Sequence, residues 1–119
     1  MANKNRVWKP CDPLYNRDGG YMLNRFYQEI NFLHRCLREA GIPYERVRLF
    51  DGWQILYPNA ENPVVSVIEH IHSYGHEKDL LEIDGLLTFE EMKVDTVVGW
   101  LTARDVFARI EAHWKKVNK

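Results

Sequence analysis

Apolar residues recur every three or four positions over residues 21–40, which is the spacing of an amphipathic helix. Gly41 suits the left-handed position that ends a helix, and Pro43 cannot continue one, so the sequence predicts a helix over 21–40. The positions that repeat are Leu23, Phe26, Tyr27, Ile30, Leu33, Leu37 and Ala40.

A β-hairpin is predicted next in the chain. Polar and apolar residues alternate over 46–50, Asp51-Gly52 is a strong two-residue turn signal, and 53–57 follow as the second strand. A third strand, rich in valine and isoleucine, is predicted over about 64–73, and a short fourth strand over 80–83.

Two threonines open helices in the last third of the chain. Thr88 and Thr102 are each followed three residues later by an acidic residue, the spacing of a reciprocal cap. The first cap opens only one or two turns, because the β-branched run over 96–98 follows and could add a strand through Trp100. The second opens a final helix over about 103–117.

These elements predict an α+β fold. We expect a two-layer sandwich with an N-terminal helix, a three- to four-stranded antiparallel sheet, a short helix and a C-terminal helix. Prolines and glycines predict an irregular segment over 1–20 that packs on a single domain over 21–119. The two long helices would cover one face of the sheet and leave the other for solvent or binding.

Alternation along each strand predicts which side chains lie on that open face. Val47 and Leu49 are expected to point into the core, which would turn Arg46 and Arg48 outward. The predicted open face carries Arg46, Arg48, Ser66, His70, His72, Glu82 and Asp84.

Composition narrows the class of protein. The 119 residues are 45% hydrophobic and 28% charged, which fits one globular domain. The net charge of −1 conceals a charge of −7 over 61–96, between two segments of +3 each. Near neutrality excludes a protein held to nucleic acid by bulk charge.

No long apolar run and no leader are seen, and Cys11 and Cys36 are expected to be free thiols, so we expect a cytoplasmic protein without a membrane span.

Direct binding of nucleic acid is disfavoured for a second reason. The predicted order α-β-β-β-α is shared with double-stranded RNA-binding domains, but those proteins meet phosphate with a lysine-rich start to the last helix. Here that start carries Arg104 beside Asp105. Arg46 and Arg48 near Trp53 could still stack on single-stranded bases.

The histidines between 70 and 76 are the residues of this chain best suited to metal binding or catalysis. His70 and His72 would project from one face of the predicted strand and could hold a divalent metal such as zinc, with His76 or a carboxylate as third ligand. An open fourth position would then activate a water molecule. The other interpretation, which we favour, is a polar strand end without a cofactor.

Glu69 and Glu82 could act as acid or base, but the chain lacks the Walker A, G-x-G-x-x-G and G-x-S-x-G motifs.

Two stretches resemble small proteins encoded by phages and prophages of Firmicutes. They are Ser73-Tyr74-Gly75 followed by Leu80-Leu81-Glu82-Ile83, and Val98-Gly99-Trp100-Leu101-Thr102-Ala103 with Asp105-Val106-Phe107. The resemblance covers roughly residues 50–112 and leaves 1–20 uncovered. It implies no catalytic residues. It implies an accessory factor in a bacterial host cell, of the host-takeover or anti-defence kind that includes inhibitors of CRISPR nucleases.

The sequence therefore favours a non-enzymatic protein that binds a host protein through its open sheet face or its acidic segment over 61–96. The candidate binding residues are Arg46, Arg48, His70, His72, Tyr74, Glu82 and Asp84. Two alternatives stay open. One is a small metal-dependent hydrolase or oxygenase that uses His70 and His72, with His76 as a further ligand. The other is a nucleotide-sequestering protein that traps its ligand between subunits of a homo-oligomer.

Overall fold

A computed structural model describes Tyr15–Asn16, Gly20–Tyr21 and residues 26–118 of the chain. Two long α-helices, one short α-helix and a 3-10 helix (His76–Lys78) accompany seven strands in these residues. The helices are α1 (Gln28–Ala40), α2 (Phe89–Met92) and α3 (Ala103–Val117). The strands are β1 (Tyr15–Asn16), β2 (Gly20–Tyr21), β3 (Glu45–Leu49), β4 (Gly52–Tyr57), β5 (Val65–Glu69), β6 (Leu81–Asp84) and β7 (Val98–Leu101).

The predicted α+β fold is confirmed. The main sheet is antiparallel in the order β3-β4-β5-β6-β7, one strand more than the three or four expected, because the β-branched run before Trp100 pairs with β6. One sheet face and the two long helices share the core. The fully buried side chains that meet there include Ile30, Leu33, Leu37, Ile55, Val67, Leu81, Ile83, Val106 and Ile110.

The predicted start of the first helix was wrong, because α1 begins at Gln28. Tyr27 has a left-handed backbone with φ 66°, which a helix cannot include. The first backbone N–H of the helix has a hydrogen-bond acceptor far away in the sequence, since Gln28 N–H donates to Asp79 Oδ1 at 3.1 Å. No local sequence signal announces a cap that arrives from 51 residues downstream. The predicted end is confirmed, with Gly41 at φ 71°.

Part of the N-terminal segment forms a small antiparallel ladder. β1 pairs with β2, with Tyr15 opposite Tyr21 and Asn16 opposite Gly20, where we expected irregular chain. The rest of segment 1–20, its expected packing on the domain, and Cys11 lie outside the described residues.

The hairpin is confirmed, but its turn lies one residue earlier than predicted. Leu49 pairs with Gly52, so the two-residue loop is Phe50-Asp51. Phe50 takes the left-handed position, at φ 56°, that the glycine was expected to fill. Gly52 is the first residue of β4, and only glycine fits there because a side chain would overlap the Glu69 carbonyl.

The prediction that Arg46 and Arg48 lie on the open face was wrong. Residues directly opposite in an antiparallel pair share a face, and Arg46 is opposite the buried Ile55 while Arg48 is opposite Trp53. Both guanidinium groups lie over the Trp53 ring, at 3.7 and 4.7 Å from its centroid, and Arg46 donates to Asn31 Oδ1 of α1 at 2.9 Å. The arginines therefore cover the edge of the core on the helix side.

The reciprocal cap predicted at Thr88 is confirmed, whereas Thr102 shows only the bond from its side chain to the backbone N–H of Asp105. Thr88 accepts from Glu91 N–H while Glu91 accepts from Thr88 N–H, so α2 begins with a complete reciprocal cap. Thr102 accepts from Asp105 N–H at 3.1 Å and starts α3. Among the described residues, no helix is long and apolar enough to cross a bilayer.

Candidate functional site

The open face of the sheet is mixed apolar and acidic. One row across it contains Val47, Gln54, Ile68 and Glu82, and the next contains Leu56, Ser66 and Asp84. The predicted outward positions of Ser66, Glu82 and Asp84 are confirmed. Because the arginines of β3 turn to the helix side, the charged side chains that β3 to β6 place on this face are all acidic, Glu45 included.

An aromatic ridge borders this face at the end of the sheet where β3 meets β4. We define it as Phe50, His72, Tyr74 and Trp100. The Phe50 ring lies 6.4 Å from His72 and 5.0 Å from the buried His70, in edge contact with each. Tyr74 stacks on Trp100 with ring centroids 5.7 Å apart and an interplanar angle of 8°.

Two ridge residues occupy a backbone conformation that bulky side chains avoid. Phe50 and Trp100 both have φ 56°, a region where glycine or asparagine would be relaxed. Their side chains are 73% and 52% exposed, so core burial does not offset the strain. Such strain is concentrated at functional positions in proteins. A bulge in the pairing of β6 with β7 aims Trp100 outward.

Two acidic side chains fix the loop after β5, which carries His72 and Tyr74 of the ridge. Asp51 Oδ1 accepts the Ile71 N–H at 2.9 Å, and Glu82 Oε1 accepts the Tyr74 N–H at 2.8 Å. Hydrogen bonds from backbone to carboxylate are stronger than neutral ones. The loop is therefore held to the neighbouring hairpin and to the open face, so the aromatic rings are presented on a fixed support.

The prediction that His70 and His72 project from one strand was wrong, because β5 ends at Glu69 and a turn follows. His70 N–H donates to Ser73 Oγ at 3.0 Å, and Ser73 Oγ donates to the His70 carbonyl at 2.9 Å, which closes the turn. His70 is buried, and burial lowers its pKa. His72 is exposed on the ridge.

One ring nitrogen of His70 and one of His76 have protein partners. His70 Nδ1 accepts the His72 N–H at 3.0 Å, and His76 Nδ1 lies 3.0 Å from Glu69 Oε2. Over the residues that the structure describes, no group of three or more histidine, cysteine or carboxylate side chains is arranged to hold a metal ion. The predicted metal site at His70, His72 and His76 stays a prediction.

Two carboxyl groups, the buried Glu69 and the half-buried Asp79, lie at the start of the first helix. The Glu69 side chain is 0% exposed, and no hydrogen-bond donor in the described part of the chain reaches its Oε1. Burial raises the pKa of Glu69 far above the ordinary carboxyl range, and the neighbouring Asp79 raises it further. Burial also raises the pKa of Asp79, to about 6. A side-chain hydrogen bond between the two carboxyl groups requires that one of them holds a proton, which agrees with the raised pKa of Glu69.

This pair joins the ridge loop to the first helix. Glu69 Oε2 accepts the Tyr27 N–H at 3.4 Å, while Asp79 caps α1 through Gln28. The His76 ring stacks on Phe26 at 4.4 Å. These contacts give the acid pair a structural role.

Replacing Glu69 with glutamine should remove a loss of stability at alkaline pH. The buried carboxyl keeps its proton in the folded chain but ionises near 4.5 in the unfolded chain, so the folded state binds more protons and stability falls as pH rises. Between about pH 7 and about pH 9 the free energy of unfolding of the wild type should fall by about 2–3 kcal/mol, because a difference of one bound proton changes it by about 1.4 kcal/mol per pH unit. The E69Q variant should show a nearly flat profile, measured by urea unfolding.

Ionisation of His34 does not contribute to this fall in stability above pH 7. Burial, then Arg46 and Arg38, lowers the pKa of His34 to about 4, so His34 reduces stability only as pH falls below its ordinary value of 6.5. Glu77→Gln, which removes an exposed acid from the same loop, is the matched control and should keep the slope of the wild type. An unchanged slope in E69Q would show that Glu69 is ionised in the folded protein.

Sequence reasoning missed Phe50, Trp100 and the Glu69–Asp79 pair. Phe50 was hidden by the assignment of the turn to Asp51-Gly52, since Leu49 pairs with Gly52 in the structure. Trp100 follows Gly99 at the end of a β-branched run, which was a detectable signal for a bulge. The acid pair joins residues ten apart in sequence through a turn, which the alternation pattern does not encode.

Comparison with known proteins gives no match to this chain, whether to a family model, a curated protein or a solved structure.

Proposed function

We propose that this chain is a non-enzymatic binding protein that docks a basic protein surface on its open sheet face, with the aromatic ridge as anchor. The observation that carries this proposal is the pair of exposed aromatic residues, Phe50 and Trp100, held in left-handed backbone conformations at the border of that face. Both features oppose stability, so folding does not explain them.

The charge of the face favours a basic partner. Glu45, Glu82 and Asp84 project from the strands there, and Asp51 lies at the hairpin turn beside the ridge. The basic residues of β3 contact Trp53 on the other side of the sheet. Complementary charge speeds association and selects partners, while buried aromatic side chains supply most of the affinity.

The chemistry of the ridge also fits an interface. Tyrosine, tryptophan and phenylalanine are enriched at binding hot spots, where a central aromatic cluster is surrounded by polar groups. Here Tyr74 and Trp100 stack face to face, with Glu82 bound to the Tyr74 backbone beside them. A partner that covers both rings would bury apolar area while its basic residues meet the carboxylates.

The resemblance to phage proteins supplies the setting of the proposal. A host protein with a basic nucleic-acid channel, such as a defence nuclease, has the surface charge that this acidic face would complement. The alternatives of a metal-dependent enzyme and of a nucleotide-sequestering oligomer stay predictions.

Selection of binders from a random peptide library tests the chemistry of the partner. The wild-type chain should enrich peptides with net positive charge and at least one large apolar residue. Glu82→Gln combined with Asp84→Asn removes two charges from the face with little change in shape, so it should bind the enriched peptides at least fivefold more weakly. Glu77→Gln is again the control and should retain binding. Enrichment of neutral or acidic peptides, or equal retention by the double variant, would refute the proposal.

A further inference from the structure

A second concave site lies at the opposite end of the sheet from the ridge. The chain leaves β6 there through Gly85 and Leu86, which have φ 115° and 54°, and enters α2. A shallow cavity of about 400 Å³, open to solvent, lies between this turn, α2 and the segment before β7. Its lining includes Asp84, Leu86, Leu87, Met92, Asp95 and Thr96.

The walls of this cavity are held rigidly. Arg109 of α3 donates to the Leu86 carbonyl at 2.9 Å and makes two hydrogen bonds to the Glu91 carboxylate at 2.7 and 2.8 Å. Arg109 holds the pKa of Glu91 well below its usual range. The turn and α2 are thus fastened to the same side chain of α3, so the cavity is preformed.

The cavity combines an apolar floor with an acidic rim. Leu86 and Leu87 are half-buried against the core, while Asp84 and Asp95 are exposed at the edge. Within residues 26–118 neither aspartate forms an ion pair, since Arg109 is engaged by Glu91 and Lys93 lies over the Phe89 ring at 4.6 Å. In the described part of the chain Asp95 accepts only from the neighbouring Thr96.

We propose that this cavity receives a lysine side chain of the basic partner, with the aliphatic stem on the leucines and the ammonium between Asp84 and Asp95. Lysine carries a compact charge on a four-carbon stem, and such side chains lie along apolar surfaces with the charged end in a polar site. The inference rests on the proposed function for its occupant. Asp84 belongs both to the open face and to the cavity, so one bound segment could contact both.

Titration of the ¹⁵N-labelled chain with Nα-acetyl-lysine N-methylamide tests the site without a partner. We expect saturable shifts of the Leu86, Leu87 and Thr96 amide signals. The norleucine analogue, which keeps the stem and lacks the charge, should bind at least fivefold more weakly at low salt. Equal binding of the two probes would overturn the proposal, and so would shifts located elsewhere in the chain.

Two variants separate this site from the ridge. Asp84→Asn with Asp95→Asn should lose the preference for the lysine probe, whereas Phe50→Asn with Trp100→Asn should retain it because those residues lie at the other end of the sheet. Loss of lysine binding in the ridge variant would contradict the assignment. If the lysine probe fails while the peptides of the library experiment still bind through the ridge, the cavity proposal falls and the proposed function stands.

Cadaverine distinguishes a protein-borne lysine from a free diamine. Because cadaverine has no peptide backbone, we expect it to bind no more tightly than the lysine probe. Binding more than tenfold tighter would assign the cavity to a small diamine and overturn the occupant proposed.

Discussion

Phe50→Asn combined with Trp100→Asn should reduce binding of the selected basic peptides at least about 100-fold, which corresponds to about 2.7 kcal/mol. Both rings are exposed in the unbound chain, so their apolar area is free to be buried by a partner. Isothermal titration calorimetry with one enriched peptide measures the loss directly.

The same double variant should fold as well as the wild type. Asparagine tolerates the left-handed backbone better than an aromatic residue, so relief of strain should offset the lost stacking of Trp100 on Tyr74. We expect the melting temperature to change by no more than about 3 °C. Phe89→Asn is the matched control, because Phe89 is an equally exposed aromatic residue at the other end of the sheet. Comparable loss of binding in the control, or unfolding of the double variant, would contradict the role given to the ridge.

Gly52→Ala should destabilise the domain by about 3 kcal/mol or more. A Cβ at this position would overlap the carbonyl oxygen of Glu69 and lie 2.8 Å from Cε1 of Tyr27. The first contact is with backbone, so β4 and β5 must separate at the end where the Glu69–Asp79 pair is held. Chemical denaturation should show the loss, accompanied by a fall in melting temperature of about 10 °C or more.

Gly41→Ala separates this steric effect from the general cost of losing a glycine. Gly41 has a left-handed backbone with φ 71°, but a Cβ there meets nothing within 4 Å. The substitution should therefore cost only about 1 kcal/mol. If Gly52→Ala costs no more than Gly41→Ala, the strands are not as close at Gly52 as described.

The elements of this fold follow from local patterns. The apolar repeat that ends at Gly41 identified α1, and the two threonine caps placed the starts of α2 and α3. Alternation over β6 correctly placed Glu82 and Asp84 on the open face, while Leu81 and Ile83 between them are buried. Each of these signals acts within a few residues, so a single sequence displays it.

The predictions that were wrong concern features that are set by contacts between residues far apart in the sequence. The alternation of β3 alone suggested that its arginines point outward, but pairing with β4 places Arg46 opposite Ile55. The aliphatic stem and planar head of arginine can cover an aromatic ring, so a charged residue can lie on the core side of an edge strand. The start of α1 is decided by Asp79, which only the folded chain brings near.

The position of Arg46 and Arg48 determines the charge of the open face. With Arg46 and Arg48 outside, the open face would have had mixed charge and no clear preference for a partner. Without them it is acidic, and it is bordered by the ridge, of which the sequence indicated only His72 and Tyr74. Of the predicted binding residues, Tyr74 and Glu82 lie together, joined by a 2.8 Å hydrogen bond.

Site-specific photocrosslinking in a bacterial lysate tests the central claim most directly. A benzoylphenylalanine in place of Phe50 would report what contacts the ridge, and the same group in place of Val117, an exposed residue at the end of α3, is the control. We predict crosslinks from position 50 to lysine- or arginine-rich segments of one protein, suppressed by salt and by an excess of wild-type chain but not of the Phe50→Asn, Trp100→Asn variant. Crosslinks to neutral or acidic segments, to a second copy of this chain, or equally from both positions would contradict it.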